Sequence, residues 1–181
     1  MTLSLFKEIK KELTDGVSQN GHPFRYGTLA TVGVDSIARL RTVVIRGVSE
    51  ELNITFYTDR RSKKVTHIKE NKKVSLLLFN PDKMMQVKIE GVARIHADTV
   101  SLNEIWERLS GEAKKDYTTV RPPGSSLKSP EMVQYLTEGN YFCAIDIHPY
   151  KIECLKLDKP LCQKIRFSKS IHGWEGEFLV P

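Results

Sequence analysis

The chain has 181 residues and a mass of 20.7 kDa, with 40% hydrophobic and 28% charged residues. It is long enough to bury a core without disulfides or a structural metal, and this balance excludes both an intrinsically disordered chain and residence in a membrane. The formal charge of +6 favours anionic partners, which include nucleic acid, a membrane surface and phosphorylated small molecules. We therefore interpret residues 1–181 as one soluble domain.

The N-terminal segment and the cysteines indicate where the protein resides. The segment becomes charged at Lys7, before the apolar core of a signal peptide could form, and no apolar run reaches the length of a membrane span. Cys143, Cys154 and Cys162 form no CxxC pair and are odd in number, as expected of reduced thiols. These features predict a cytoplasmic protein whose cysteines are buried apolar side chains.

The first predicted element is an amphipathic helix over Thr2–Asp15, which Gly16 would stop. Short runs rich in β-branched and aromatic residues then predict strands, and a helix over Ser62–Asn71, with Ser62 as its N-cap, separates the third run from the fourth. The predicted strands are Tyr26–Val32, Ala38–Val48, Asn53–Thr58, Val74–Phe79 and Met85–Ile95.

Two further helices are predicted, one opened by Asp98 or Thr99 and running through Leu109, the other opened by Pro130 and running through Leu136. Strands then return, with turns at 158–160 and 172–173. They cover Tyr141–His148, Lys151–Leu157, Gln163–Ser168 and Trp174–Val180. Many short strands with few, non-alternating helices favour an antiparallel barrel or sandwich over a βαβ sheet.

The second predicted strand carries three arginines, which is unusual. Because side chains alternate along a strand, Arg39 and Arg41 share one face and Arg46 lies on the other. Such a strand can line an anionic ligand. The alternative is a half-exposed strand whose arginines extend into solvent or pair with Glu50 and Glu51.

A basic cluster begins at Tyr57 and Thr58 and runs into the start of the predicted helix. Ser62 offers a hydroxyl there, the first N–H groups of the helix have no internal partner, and Arg61, Lys63 and Lys64 offer charge-assisted hydrogen bonds. The alternative is a solvated helix start. Cations are unfavourable at that end of a helix dipole, so the cluster favours a bound phosphate.

Gln86 lies on a predicted strand of alternating pattern that ends at Gly91, where a bulge is allowed. Its amide can meet the edge of a heterocycle, or it can simply face solvent. The histidines form no HExxH or His/Cys spacing, and GxSxG, GxGxxG and GxxxxGK are absent from the sequence. No metal site is predicted.

In this order and spacing, the clusters resemble the pyridoxamine 5′-phosphate oxidase-like FMN-binding family, from about Phe24 to Pro181 and most strongly between Arg41 and Gly91. The resemblance implies a mainly β (α+β) antiparallel split β-barrel of about six core strands with peripheral helices. It also implies FMN as cofactor and a homodimer that holds FMN at the subunit interface. Together with Arg61 from the basic cluster, the candidate FMN-binding residues are Arg41, Thr42, Val43, Val44, Ile45, Tyr57, Thr58, Ser62, Lys63, Lys64, Gln86 and Arg166, and Arg46 faces the substrate.

The departures from the family concern the substrate side. An Arg-x-His motif of the pyridoxine phosphate oxidases corresponds here to Cys162-Gln163-Lys164. The Tyr, Arg and Ser residues with which those enzymes bind the substrate phosphate are not recognisable in Trp106–Tyr117. Leu155 stands where a flavin-side Trp is usual. We therefore expect an FMN-dependent oxidoreductase with an altered site for a small, anionic substrate. The alternatives are a flavin or tetrapyrrole carrier without turnover and a basic nucleic-acid-binding barrel.

Overall fold

The computed structural model describes residues 2–157 and 160–181, and the strands in these ranges form one antiparallel sheet in the order β3-β2-β1-β4-β5-β6-β7-β8. An additional pairing between β3 and β6 closes the first six strands into a barrel, while β7 and β8 extend the sheet beyond β6. This confirms the predicted split-barrel class. The strands are β1 Tyr26–Val32, β2 Ala38–Val48, β3 Ile54–Asp59, β4 Lys73–Asn80, β5 Met85–Ile95, β6 Phe142–Lys156, β7 Gln163–Ser170 and β8 Gly173–Leu179.

Four helices accompany the sheet within the described ranges: α1 Thr2–Ser18, α2 Lys63–Glu70, α3 Thr99–Arg108 and α4 Gly111–Lys115. Leu5, Ile9 and Leu13 form the buried stripe of α1 and join the barrel core, as the helical spacing predicts. None of these helices is long and apolar enough to cross a membrane.

Gly16 does not stop α1, contrary to the prediction. A glycine ends a helix when it adopts the left-handed conformation after the last turn, whereas Gly16 continues the helix to Ser18. Its role is steric, because a Cβ at this position would lie 2.9 Å from backbone atoms of Phe24. Phe24 belongs to a short 3₁₀ turn over Pro23–Arg25 that packs against α1.

The predicted helix after Pro130 is also wrong, since only a 3₁₀ turn forms, over Pro130–Met132. The following residues pair with an earlier segment instead. Val120 donates its N–H to the carbonyl of Gln134 at 2.8 Å, and Leu136 donates to Thr118 at 2.7 Å. This ladder uses the backbone groups that a longer helix would need.

The predicted strands on either side of Pro149 are a single 15-residue strand, β6. The register shifts between Glu90 and Gly91, so that Glu90 faces Lys151 while Gly91 faces Pro149, and Tyr150 is the extra residue of a bulge. Gly91 is required because a Cβ there would lie 2.7 Å from the His148 carbonyl oxygen. The bulge accommodates the proline and lets β6 pair with β3 in its first half and β7 in its second.

The remaining predictions about elements have mixed outcomes. Of the two residues predicted to open α3, Asp98 and Thr99, it is Asp98 whose side chain caps the helix. Gly173, with φ of 114°, follows the turn between β7 and β8, as expected. The predicted turn at Asp158 and Lys159 lies outside the described residues. Cys143 and Cys154 are buried as expected, but Cys162 is exposed because it lies in the connection before β7 rather than in the sheet.

Candidate functional site

Strand β2 presents different chemistry on its two faces. Val43 and Ile45 point into the barrel core, and the alternation places Arg39 and Arg41 on the same face, nearer the end of the strand. Arg46 points outward. Strand β2 thus places Arg41 at the end of the barrel and Arg46 on its outer surface.

Arg41 is half-buried and lacks a carboxylate partner among the described residues. Its Nη1 donates to the hydroxyl of Thr31 at 2.6 Å, and Thr31 Oγ1 lies 3.1 Å from Nδ1 of the buried His67. Burial lowers the pKa of Arg41, and repulsion from Arg39 adds to the effect. By contrast, Arg39 forms an ion pair with Asp35 at 2.5 Å, so the predicted alternative pairing with Glu50 and Glu51 does not describe it.

Lys64, in the first turn of α2, is the second half-buried cation at this end of the barrel. Its Nζ donates to Thr58 Oγ1 at 2.9 Å, and Thr58 Oγ1 lies 3.2 Å from Ser62 Oγ. Burial lowers the pKa of Lys64, and Arg41 is the next cause in the same direction. The two cations therefore repel each other at short enough range to affect proton binding, while their hydrogen-bond partners are mostly neutral.

Ser62 is the N-cap residue of α2 but its hydroxyl makes no capping hydrogen bond and turns to Thr58 instead. The first N–H groups of a helix have no acceptor within the helix, so they are available to a ligand. Arg41, Lys64, two hydroxyls and a helix start together form a site suited to a phosphate group. We refer to Arg41, Thr58, Ser62 and Lys64 as the cationic cluster.

Arg61 is engaged elsewhere in the structure. It forms an ion pair with Asp59 at 2.7 Å, donates to the carbonyls of Thr119 and Val120, and lies over the ring of Tyr141 at 3.3 Å from its centroid. These contacts connect the turn between β3 and α2 to residues 119–120. Its predicted part in cofactor binding stays a prediction.

A second site lies on the outer surface, where Arg46, Tyr57 and Tyr117 come together. The Arg46 guanidinium carbon is 5.8 Å from the centroid of the Tyr57 ring. Burial raises the pKa of both tyrosines, and Arg46 acts against that rise in each case. Tyr117 was not singled out from the sequence, because it follows α4 and meets Arg46 only through the tertiary fold. Thr31 and His67 were also missed, although the alternation in β1 already places Thr31 inward.

The other candidate residues are spread over the barrel. Thr42 and Val44 face outward on β2, while Val43 and Ile45 are buried and offer only backbone atoms to a ligand. Gln86 is half-buried on β5 between Phe79 and Leu155 of the neighbouring strands. Lys63 is exposed. Arg166 on β7 pairs with Glu177 at 2.8 Å and makes no contact with the cationic cluster within the described chain. Their parts in cofactor binding stay predictions.

One group of potential metal ligands appears that the sequence spacing did not reveal. Ligand atoms of Glu12, Asp15 and His22 lie within 4.8 Å of one another. Lysines already neutralise the two carboxylates, however, since Lys83 binds the fully buried Glu12 and Lys11 binds Asp15 at 2.5 Å. This group is therefore a polar network that anchors α1.

Comparison with known proteins decides the family. A family model described as pyridoxamine 5′-phosphate oxidase, FMN-binding domain, matches residues 5–97, which are 93 of the 181 residues. The chain belongs to this family. The matched range contains the cationic cluster, Arg46, Tyr57 and Gln86, but neither Tyr117 nor Arg166.

Curated relatives match about half of this family member. The pyridoxine/pyridoxamine 5′-phosphate oxidase of Psychrobacter sp. is 36% identical over 88 residues, which are 48% of this chain and 40% of that protein. The similarity thus covers less than half of the relative's length, and it does not carry over that enzyme's activity.

Solved structures share the fold over nearly the whole chain. An FMN-binding protein related to pyridoxamine 5′-phosphate oxidase from Nostoc punctiforme aligns with a TM-score of 0.78 at 21% identity, covering 97% of this chain and 96% of that one. PhzG from Burkholderia lata aligns with a TM-score of 0.79 at 18% identity, covering 99% and 92%. At such identities these similarities establish the fold alone.

Proposed function

We propose that the chain binds FMN, with the phosphate held by the cationic cluster. The observation that supports this most strongly is the pair Arg41 and Lys64, two half-buried cations that repel each other and have no carboxylate in direct contact among the described residues. Burying like charges side by side is unfavourable unless an anion compensates them. A phosphate dianion with three acceptor oxygens provides that compensation, and the hydroxyls of Thr58 and Ser62 supply further hydrogen bonds.

We propose further that the protein is an oxidoreductase whose substrate lies beside Arg46. FMN, when bound, supplies the redox chemistry by accepting a hydride or electrons. The chain's own contribution is to bind and orient. Arg46 offers a guanidinium to an anionic substrate group, and Tyr57 and Tyr117, whose raised pKa values keep their hydroxyls protonated, can donate hydrogen bonds there.

The proposed homodimer is supported by an exposed apolar surface on the barrel. The outward residues of β1, β2 and β4 lie in register, with Ala30 beside Leu40 and Thr28 beside Leu77. Leu40, Leu77 and Phe79 are 68%, 39% and 43% exposed, and exposed large apolar side chains that share one face of a sheet favour an interaction site. The same outer face continues through Gln86 to Arg166, so a second copy docked here can bring Arg166 towards its partner's flavin.

Absorbance of the purified protein tests the cofactor. A flavin spectrum with one FMN per chain is the expected result, followed by reduction of that flavin by a substrate and reoxidation by an acceptor. Bound flavin without turnover of any candidate substrate would instead identify a carrier. A colourless protein that takes up no added FMN and whose affinity for nucleic acid falls steeply with salt would contradict the proposal and favour the basic barrel.

A further inference from the structure

A cavity that shares no residue with the cationic cluster lies between α2, the end of β5, helix α3 and the start of β6. Its volume is about 280 Å³. Ligand pockets for drug-sized molecules span roughly 300–1,000 Å³, so this one suits a compound of one or two rings. Val65, Leu102, Trp106 and Phe142 supply apolar walls, and Trp106 is only partly buried.

Two cations, Arg60 and Lys69, border this cavity and pair with no carboxylate among the described residues. Arg60 is positioned by its backbone, which donates to the Tyr141 carbonyl at 2.8 Å, and by one guanidinium nitrogen, which donates to the Asn140 carbonyl at 3.1 Å. A guanidinium has five N–H donors, so most of them remain available. Lys69 makes no hydrogen bond or ion pair with any described residue. None of the residues that line the cavity is acidic.

The nearby carboxylates are already engaged by other groups. Asp146 accepts a hydrogen bond from Thr55 at 2.6 Å on one oxygen and contacts His96, which lines the cavity, at 2.6 Å on the other. Asp98 accepts from the first N–H groups of α3 and from Ser101. Asp59, which also acts on Cys143, is paired with Arg61, so no described carboxylate pairs directly with Arg60 or Lys69.

Both cations act on the same interior surface. Cys143 lies in the cavity wall, and although burial raises the pKa of its thiol, Arg60 and Lys69 are the two leading causes that oppose the rise. Lys69 and Ile95 also line an adjoining groove with Lys72 and Arg94, which extends the positive surface at the cavity mouth. An anion approaching from solvent would be attracted along this surface.

We infer that this cavity is a ligand site additional to the cationic cluster and the Arg46 site, and that it binds a small aromatic anion, with the ring against Trp106 and Leu102 and a carboxylate or phosphate on Arg60 and Lys69. The apolar walls exclude a bare inorganic ion as the best ligand, and the cations exclude a neutral ring. Asn103 and Asn140 add polar groups that can fix the orientation of the ligand. This inference does not depend on flavin binding, because the two sites share no residue.

The test uses the full chain saturated with FMN and three probes: benzoate, phenyl phosphate and the uncharged benzyl alcohol. Calorimetry measures the affinity, and bound flavin is followed by absorbance. The variant Arg60→Gln with Lys69→Gln removes both cations. Lys7→Gln with Lys169→Gln is the matched control, since it removes the same charge from exposed positions outside the cavity. Asn103→Trp puts a bulky side chain into the cavity lining without changing charge.

We expect at least one of the two anions to bind with one equivalent per chain while FMN stays bound, and the better anion shows whether a carboxylate or a phosphate is preferred. Benzyl alcohol should bind at least tenfold more weakly. The Arg60/Lys69 variant should lose at least tenfold in affinity, the control less than twofold, and Asn103→Trp should abolish binding. If the double variant does not fold, Asn103→Trp decides alone.

Three results would overturn the inference. The first is no binding of either anion at about 1 mM, an affinity of about −4 kcal/mol. The second is unchanged binding in the folded variants. The third is release of FMN in step with probe binding, because the probe would then occupy the flavin site.

Discussion

Lys64 Nζ donates a hydrogen bond of 2.9 Å to Thr58 Oγ1, which joins the first turn of α2 to the end of β3. The ammonium is half-buried, whereas that of its neighbour Lys63 is exposed. The two adjacent lysines of the predicted phosphate site are therefore not equivalent. Lys64 is already oriented by the fold, and Lys63 must become ordered when a ligand binds.

This difference predicts unequal losses of FMN affinity. Lys64→Ala should weaken FMN binding by about 1.5–3 kcal/mol, the usual size of one charged hydrogen bond, and Lys63→Ala by less. The double variant should lose on the order of 3 kcal/mol or more. Riboflavin, which lacks the phosphate, is the control ligand and should bind all variants alike. Equal losses for FMN and riboflavin in a fluorescence titration would show that the lysines do not contact the phosphate.

The exposed face of β1, β2 and β4 predicts the assembly state. Sedimentation should give about twice 20.7 kDa for the wild-type chain. Leu77→Lys should give monomers, because it places an unpaired charge in the centre of a buried interface, at a cost of several kcal/mol. Val100→Lys on α3 changes an apolar residue that is 65% exposed and should leave the dimer intact. A strict monomer that retained tightly bound FMN would rule out the shared site.

The environments of the three cysteines predict selective alkylation. Burial raises the pKa of Cys154 to about 12 and also raises that of Cys143, so both remain thiols at neutral pH, whereas the thiolate is the reactive form. Cys162 is exposed. Iodoacetamide should add one group to the folded protein and three after unfolding, as counted by mass spectrometry. Cys162→Ser should abolish labelling of the folded chain, and rapid modification of Cys154 would contradict the burial described.

Gly16 and Gly111 predict opposite responses to the same substitution. Alanine favours a helix over glycine by about 1 kcal/mol, but at Gly16 its Cβ would lie 2.9 Å from the backbone of Phe24, and overpacking costs about 1–3 kcal/mol. Gly16→Ala should therefore destabilise the protein in denaturant unfolding. Gly111→Ala has nothing within 4 Å and should be neutral or stabilising. A stabilised Gly16→Ala would show that α1 can shift away from Phe24.

Hydrophobic alternation predicts much of this fold but not its long-range choices. The bounds of β1, β2 and β5 follow from β-branched and aromatic runs, and Asp98 identifies the start of α3. Gly16 was misinterpreted as a helix stop and β6 was predicted as two strands, because tertiary contacts override the local sequence pattern at both places. Gly16 makes room for Phe24, and the bulge at Tyr150 accommodates the proline.

In the candidate site, too, the sequence predicts local features but not contacts between distant segments. Basic residues at the start of a helix pointed to an anion site, and the structure brings Lys64, Thr58 and Ser62 together there. Sequence could not separate Arg61 from Lys64, since only the fold reveals that Asp59 and the 119–120 segment occupy Arg61. It also could not place Tyr117 beside Arg46, because their proximity depends on how the chain after α4 returns to the barrel.

The last prediction is that pyridoxine 5′-phosphate and pyridoxamine 5′-phosphate are poor substrates even when FMN is bound. The resemblance assigns the family's Arg-x-His to Cys162-Gln163-Lys164, of which Cys162 is exposed before β7 and Lys164 pairs with Leu155 and Leu179 in the sheet. A planar donor with two parallel hydrogen bonds is thereby lost, and a flexible ammonium replaces an imidazole.

Losing one well-placed charged contact to a transition state costs about 3 kcal/mol, so two such losses lower the rate by several powers of ten. Arg46 is a single cation and cannot replace both. Steady-state production of hydrogen peroxide and pyridoxal 5′-phosphate by FMN-saturated protein measures the outcome, and turnover on the order of one per second would contradict the prediction. Cys162→Arg with Lys164→His restores the family motif and should raise the rate, whereas Lys169→His, an exposed substitution later on β7, should not. An increase confined to the first variant would attribute the altered specificity to these two positions rather than to Trp106–Tyr117.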